Sequence, residues 1–236
     1  MPRKPRQFQV GGIYHVVNRG VEKRSIFLKN QDYSRLILAL EFFNDQNSVD
    51  LWTLIERFNP RLLEKRLGVR RKVPRKRIVE LLLFTLMPNH YHFVFREVVA
   101  NGISLFMQKL GGYTTYFNKQ YDRVGPLFQS RYKSVEIRND VQLYAVFTYV
   151  HTNPVGLVEP GWKEFKVDDK NRALEYLKAY QWSSYRDYIG LPTFPTVTQR
   201  EFFLKFFGDT PKSKQAVEDW VNWKASRVGR APEALE

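Results

Sequence analysis

Residues 81–96, LLLFTLMPNHYHFVFR, decide the fold because they join two apolar runs through a Pro-Asn turn, and this pattern predicts a β-hairpin. Side chains along a strand alternate between its two faces, so His90 and His92 would project from the same face. Residues two apart on a helix point about 200° from each other and would not converge so easily. A strand can therefore aim both imidazoles at one divalent ion, although histidines on a solvated face are the simpler interpretation of an isolated HxH pattern.

The composition points to a partner that carries phosphate groups. A chain of 236 residues is long enough for one generous domain, with or without an appendage. Its formal net charge of +14 and its 15% of aromatic residues are typical of nucleic-acid-binding proteins, while a cationic membrane-binding surface is the competing interpretation. No apolar segment approaches the roughly 18 residues of a membrane span, and the N-terminus lacks the apolar core of a signal peptide. We therefore expect a cytoplasmic, nucleoid-associated protein with no membrane partner.

The chain contains no cysteine, which limits the chemistry it can perform. Disulfides, thiol nucleophiles and thiolate zinc sites are excluded, so a bound metal must be held by histidine, amide or carboxylate side chains. In a cytoplasmic protein these ligands favour Mg²⁺ or Mn²⁺ as the ion.

Basic residues precede the hairpin at several places. The first ten residues predict a flexible basic arm. Residues 12–18, GIYHVVN, predict the first strand, in which His15 is more simply an ordinary strand residue than a metal ligand. The segment that follows carries Arg19, Lys23 and Arg24, which could reach toward nucleic acid.

A helix and a basic insertion are predicted between this strand and the hairpin. Apolar residues recur at helical spacing from residue 30 onward, with Asn30 as the N-cap. Residues 57–77 form the insertion, and residues 61–77 alone carry nine Lys or Arg against one Glu. The insertion, which contains Arg70 and Arg71, is either a solvated loop or an arm that contacts phosphates.

Two elements are predicted directly after the hairpin. Residues 103–121 indicate a second helix, which its two central glycines could kink. Residues 130–137 alternate as a strand does, so Arg131 and Lys133 would share one face. We place that basic face near a phosphate.

Residues 140–153 predict a third helix, which Pro154 ends. Its buried stripe consists of Leu143, Val146, Phe147 and Val150. Tyr149 lies about 100° from the centre of this stripe, and Asn153 follows it by one turn on the same flank. The two side chains would therefore face one place, although a structural role is the simpler interpretation for any single tyrosine.

The C-terminal region, residues 191–236, predicts a helical extension with helices at about 199–207 and 213–226. Four phenylalanines in the first of these helices form an apolar patch. The patch would pack on the rest of the domain or make a dimer contact. Both a monomer and a homodimer are therefore compatible with the sequence.

Four separated motifs resemble one known family. They are MPNHYHFVF, GPLFQSRYKS, FTYVHTNPVGLV and QWSSYRDYIG, and they occur in the order and rough spacing found in the REP-associated tyrosine transposases. That family belongs to the single-tyrosine HUH endonucleases of the Y1 transposase superfamily. The resemblance covers residues 12–190, which divides the chain into a domain at 1–190 with the basic insertion at 57–77, and the extension at 191–236.

The resemblance implies an α+β protein with a ferredoxin-like core. An antiparallel β-sheet would carry His90 and His92 on a central strand, with helices packed on one face. The two metal-ligating histidines of the family match His90 and His92, its nucleophile matches Tyr149, and the polar residue that completes its metal shell matches Asn153. His151 would be a second-sphere or DNA contact.

The resemblance also implies an activity. It is that of a single-stranded DNA endonuclease and strand transferase that depends on Mg²⁺ or Mn²⁺ and cleaves near hairpins of REP-like palindromes through a 5′-phosphotyrosine intermediate. Two alternatives are a domesticated, non-catalytic protein that binds DNA or RNA hairpins, and a metal-dependent hydrolase that attacks with water.

Overall fold

A computed structural model describes residues 7–46 and 76–227 of the chain. Most of the predicted basic insertion, including Arg70 and Arg71, lies outside the described residues, as do the first six and the last nine residues.

Four strands form one antiparallel sheet, in the order β2-β3-β1-β4. The strands are β1 (Ile13–Arg19), β2 (Val79–Met87), β3 (His90–Glu97) and β4 (Lys133–Ile137). β2 and β3 form the predicted hairpin, and the Pro-Asn turn joins them. Because β3 and β1 are the two central strands, the histidines of β3 lie on a central strand, as expected.

Three helices cover one face of this sheet. They are α1 (Asn30–Phe42), α2 (Gly102–Leu110) and α3 (Gly112–Gln120). The aromatic residues Tyr91, Phe93 and Phe95 of β3 belong to the same apolar cluster as these helices, and the Phe95 ring lies 5.4 Å from that of Phe106. The element order β-α-β-β-α-β, with this strand order, confirms the predicted ferredoxin-like α+β core.

Five further helices lie on the opposite side of the sheet. Some contact the sheet directly, and the others pack on those helices. They are α4 (Asp140–Thr152), α5 (Lys170–Ala179), α6 (Tyr185–Tyr188), α7 (Glu201–Phe207) and α8 (Thr210–Ala225). The prediction of helices packed on one face holds for α1–α3, and the helices that follow β4 cover the opposite face as well. The physical reason is that the second face also carries apolar residues, among them Leu83 and Val94, which α4 and its neighbours bury.

Some element boundaries differ from the predictions. The prediction that Asn30 caps the first helix was wrong, because Lys29 is the cap residue and the Asp32 carboxylate accepts hydrogen bonds from the backbone N–H groups there. The predicted second helix is two helices that adjoin at Gly111. β4 begins at Lys133, three residues later than expected. Among the described residues, no helix is both long enough and apolar enough to cross a membrane.

Candidate active site at the start of the second hairpin strand

The two histidines of β3 lie at its first and third residues, directly after the hairpin turn. Both side chains are buried. The register pairs Arg19 of β1 with His90 and Val17 with His92. Because directly opposed residues of antiparallel strands point to the same face, Arg19 and His15 share the face of the two imidazoles.

Each imidazole is held through its Nδ1 atom. His90 Nδ1 lies 2.6 Å from Oδ1 of Asn89, and the Asn89 amide Nδ2 donates to the Lys23 carbonyl oxygen at 3.0 Å. His92 Nδ1 lies 2.9 Å from Nε2 of His15, and the two rings stack with their centroids 5.1 Å apart. Orientation of a histidine through one ring nitrogen leaves the other nitrogen for a ligand.

Tyr149 lies on the last turn of α4, over these imidazoles. Its ring centroid is 5.4 Å from that of His92 and 6.0 Å from that of His15, and both contacts are edge-on. The side chain is 48% exposed, whereas Val150 and Phe147 of the same helix are fully buried. The helix is thus fixed by its apolar side while the tyrosine is accessible to a ligand from solvent.

The helix stops where Pro154 was predicted to end it, and Asn153 begins a short 3₁₀ turn. The Asn153 Nδ2 atom donates to the carbonyl oxygen of Tyr149 at 2.9 Å, which leaves Oδ1 for another partner. Asn153 raises the pKa of both His90 and His92, against the larger lowering effect of burial. The Asn153 amide therefore lies near both histidines.

The imidazoles of the site are held in their neutral forms. Burial lowers the pKa of His90 to about 4, and the positive charges of Arg19 and Lys163 add to that effect. Burial also lowers the pKa of His15 to about 4. The pKa of His92 lies well below its ordinary value, first through burial and then through the neighbouring His15, His90 and Arg19. At neutral pH these rings therefore keep a nitrogen lone pair that can bind a cation.

The donor set fits a divalent cation. In the described part of the chain the buried Nε2 atom of His92 has no hydrogen-bond partner, although buried polar atoms rarely lack one. His90, His92 and the amide oxygen of Asn153 would supply two nitrogens and one oxygen, and the half-exposed position of Tyr149 leaves an approach for a further ligand. Within residues 7–46 and 76–227, no group of three or more His, Asp or Glu side chains is arranged to hold a metal, so the amide is needed to complete the set.

The predicted DNA contacts divide into two groups. Arg19 lies opposite His90, and the exposed Lys23 and Arg24 follow it in the turn that borders Asn89. Lys133 is exposed on β4, where it pairs with Val17 and so points to the imidazole face. These four cations therefore lie on or beside the site.

Arg131 does not share that position. It lies before β4 begins and, with Tyr91 and Tyr132, lines a cavity beside α2 and α3. The prediction that Arg131 and Lys133 share a face is therefore wrong, because alternation applies only within the strand and the strand starts at Lys133.

The prediction that His151 contacts DNA is also corrected by the structure. Its side chain is fully buried, and its Nε2 atom lies 2.9 Å from the Ser184 hydroxyl oxygen. The rings of Phe147, Tyr185 and Tyr188 surround it with centroids 4.4, 5.6 and 5.4 Å away. A side chain in this position packs α4 against α6 and cannot reach nucleic acid.

Sequence reasoning gave too little weight to three residues of the site. The sequence pattern favours an ordinary strand role for His15, predicts only a turn at Asn89 and gives no signal for Lys163. Asn89 could have been found, because it directly precedes His90. The places of His15 and Lys163 depend on a strand register and on a turn after α4, which no local pattern reveals.

The C-terminal helices support the helix that carries Tyr149. The Phe147 ring lies 5.0 Å from that of Phe203 and 4.6 Å from that of Phe207, both in α7. The Tyr144 hydroxyl donates to the Ala216 carbonyl oxygen of α8 at 3.4 Å. The predicted apolar patch thus packs on α4, on the side away from the imidazoles.

Comparisons with known proteins give one family. Residues 55–153 match the family model described as "Transposase IS200 like". A solved structure of a REP-associated tyrosine transposase bound to a REP hairpin is similar at 17% sequence identity, with a TM-score of 0.49 over 83% of this chain and 90% of that chain. No curated protein matches significantly. The matched residues contain His90, His92, Tyr149 and Asn153, so the part of the chain that carries the candidate site is similar to the IS200-like transposases.

Proposed function

We propose that this protein is a metal-dependent single-stranded DNA endonuclease and strand transferase that cleaves beside DNA hairpins through a 5′-phosphotyrosine intermediate. One observation carries the proposal. The accessible phenol of Tyr149 lies over the neutral imidazole of His92, whose buried Nε2 atom has no hydrogen-bond partner among the described residues. The phenol that would act as nucleophile and the ring nitrogen that would bind a cation are therefore adjacent, so one phosphodiester could contact both.

The covalent step uses Tyr149. Its phenol oxygen would attack the scissile phosphorus, the bond from phosphorus to the 3′ oxygen would break, and the freed oxygen would take up a proton as a 3′-hydroxyl. The phenol proton would leave to solvent. Because the phosphotyrosine ester retains the energy of the broken bond, a 3′-hydroxyl can attack it in reverse and join two strands without ATP. Cleavage and strand transfer are therefore one reversible reaction.

The metal would be Mg²⁺ or Mn²⁺, held by His90, His92 and the amide oxygen of Asn153. When bound, it would neutralise the anionic oxygens of the scissile phosphate and make phosphorus easier to attack. The chain's own contribution is to keep both imidazoles neutral by burial and to fix each through its Nδ1 atom.

Cations beside the site would orient the DNA. Arg19, which lies opposite His90 in the sheet, would bring a positive charge to the scissile phosphate, and Lys163, whose charge also lowers the pKa of His90, would add to it. Lys23 and Lys133 extend this positive surface along the turn and the edge strand, where Arg24 is paired with Glu22. Contacts of this kind hold the phosphate backbone without reading its bases. We infer from the sequence motifs that the substrate is a hairpin of a REP-like palindrome with adjacent unpaired bases.

Label transfer tests the proposal. A hairpin oligonucleotide with a single-stranded flank is labelled either 5′ or 3′ of the expected cut, incubated with the protein and Mn²⁺, and run on a denaturing gel. We expect only the label that lies 3′ of the cut to migrate with the protein, because only that fragment carries the new 5′ phosphate.

The two alternative functions give different results in the same assay. A hydrolase that attacks with water would release both fragments with no label on protein. A non-catalytic hairpin-binding protein would shift the hairpin on a native gel and leave it uncut. Either outcome, obtained with folded protein and added Mn²⁺, would contradict the proposed function.

A further inference from the structure

We propose that His15 is a positioning residue, which accepts a hydrogen bond from Nδ1–H of His92 and so keeps the lone pair of His92 Nε2 available to a metal. The expected effect on metal binding rests on the proposed function, in which His92 is a metal ligand. The hydrogen-bond assignment itself concerns two side chains of the described sheet and can be tested without DNA or metal.

The contact between the two rings allows two arrangements. A neutral imidazole carries one proton, so either His15 donates to His92 or His92 donates to His15 across the 2.9 Å between their nitrogens. In the first arrangement the proton of His92 is on Nε2, a buried atom that makes no hydrogen bond to any of the described residues. In the second arrangement Nδ1–H is satisfied and Nε2 keeps its lone pair. Buried N–H groups without partners are rare, which favours the second arrangement.

His90 shows the same arrangement with less ambiguity. Its Nδ1 atom faces an amide oxygen of Asn89, which can only accept, so His90 must donate. The other end of that amide is committed to the Lys23 carbonyl oxygen, which fixes which end faces the ring. Both histidines of β3 would thus carry the proton on Nδ1, His90 because of Asn89 and His92 because of His15.

The place of His15 also argues against two other roles. Its Nε2 atom is already occupied by His92, so it is not turned to a metal as a third ligand. Its ring is nearly parallel to that of His92, at 17°, and meets Tyr149 edge-on. Because a stacked ring also contributes packing, the test separates the shape of the ring from its ability to accept a hydrogen bond.

Two substitutions make that separation. His15→Phe keeps an aromatic ring of similar size and removes the acceptor, whereas His15→Gln loses the ring and can offer an acceptor oxygen at similar reach. His151→Gln is the matched control, because that histidine is also buried with one nitrogen unpartnered but lies outside the site. Thermal unfolding of each variant monitors the structural effect separately.

Nitrogen-15 NMR of the metal-free, full-length protein reports the tautomer directly. We expect His92 of the unsubstituted protein to be protonated on Nδ1, the His15→Phe variant to show a mixture of tautomers, and the His15→Gln variant to regain the original one. Detection of the proton on His92 Nε2 in the unsubstituted protein would overturn the proposal.

Titration calorimetry with Mn²⁺ alone measures the consequence. Removal of a hydrogen-bond partner behind a metal ligand typically weakens binding about 10- to 100-fold, so we expect that loss for His15→Phe, and less than about threefold for His15→Gln and His151→Gln. Unchanged Mn²⁺ affinity in His15→Phe would overturn the inference. If the expected tautomers are found but no protein binds Mn²⁺, the metal dependence of the proposed function fails while the role of His15 as acceptor is supported.

Discussion

His92 and His151 are both buried histidines, and in the described structure each has one ring nitrogen bonded and the other without a hydrogen-bond partner. Only the surroundings differ. His92 adjoins a half-exposed tyrosine and the cation Arg19, whereas His151 lies among three aromatic rings and the Ser184 hydroxyl. An unpartnered imidazole nitrogen is therefore not a site by itself. It becomes a candidate ligand where a nucleophile and an approach from solvent share its space.

Helix α4 shows the same contrast between a residue at the site and a residue packed in the interior. Tyr149 and His151 are two residues apart, and a helix turns about 200° over that distance. One side of the helix consequently presents a phenol to the site, while the other side joins α6 and α7. If this division is correct, substitutions on the side that faces the site should reduce DNA cleavage, whereas substitutions on the packed side should reduce stability.

The largest expected effect is on the site side. Tyr149→Phe should lower formation of the covalent protein–DNA adduct about 1,000-fold or more, because the variant has no phenol oxygen to form the ester. Hairpin binding and the unfolding temperature should stay close to those of the unsubstituted protein. A denaturing gel and a native gel shift measure the two properties, with Tyr144→Phe on the same helix as the control. Undiminished adduct would move the nucleophile to another residue.

Removal of the metal should have the next largest effect. His90→Ala, or excess EDTA with the unsubstituted protein, should slow cleavage about 100-fold, since the charge of the scissile phosphate would no longer be neutralised. Hairpin binding should change much less than cleavage. Cleavage rates at saturating protein measure this, and added Mn²⁺ should restore the EDTA-treated protein but not the variant. Full activity in EDTA would remove the metal from the mechanism.

On the packing side the effect should be on stability. His151→Ala would leave a cavity between α4 and α6 and should lower the free energy of unfolding by about 2 kcal/mol or more. Below its unfolding temperature the variant should cleave within about tenfold of the normal rate. Urea denaturation and a cleavage assay at low temperature measure the two quantities. Loss of cleavage without loss of stability would place His151 in the site and break the contrast.

The smallest expected effect concerns DNA binding at the rim of the site. Lys163→Ala should weaken hairpin binding about threefold and reduce the slope of log affinity against log salt concentration by about 1, because one phosphate contact is lost. Lys214→Ala is the control, since that lysine is paired with Glu218 on α8. Binding measured by fluorescence anisotropy at several salt concentrations gives both values. Equal effects in the two variants would show that Lys163 acts only through overall charge.

The sequence predicted the features that depend on local spacing. The hairpin, the helix with Tyr149 and the helix end at Pro154 follow from alternation, from helical periodicity and from proline geometry, and the structure contains all three. The sequence did not predict the surroundings of side chains whose positions depend on contacts with residues far away in the chain. His15 meets His92 only through the register of β1 with β3, and His151 is buried only because Ser184 and its neighbours pack against it.

The most direct test of the proposed nucleophile is mass spectrometry of the covalent product. After reaction with a hairpin oligonucleotide and Mn²⁺, digestion with protease and nuclease should yield a peptide with a nucleotide joined through its 5′ phosphate to Tyr149. The same modification on another residue, or cleaved DNA with no modified peptide, would contradict a mechanism in which this phenol attacks the phosphate beside His90 and His92.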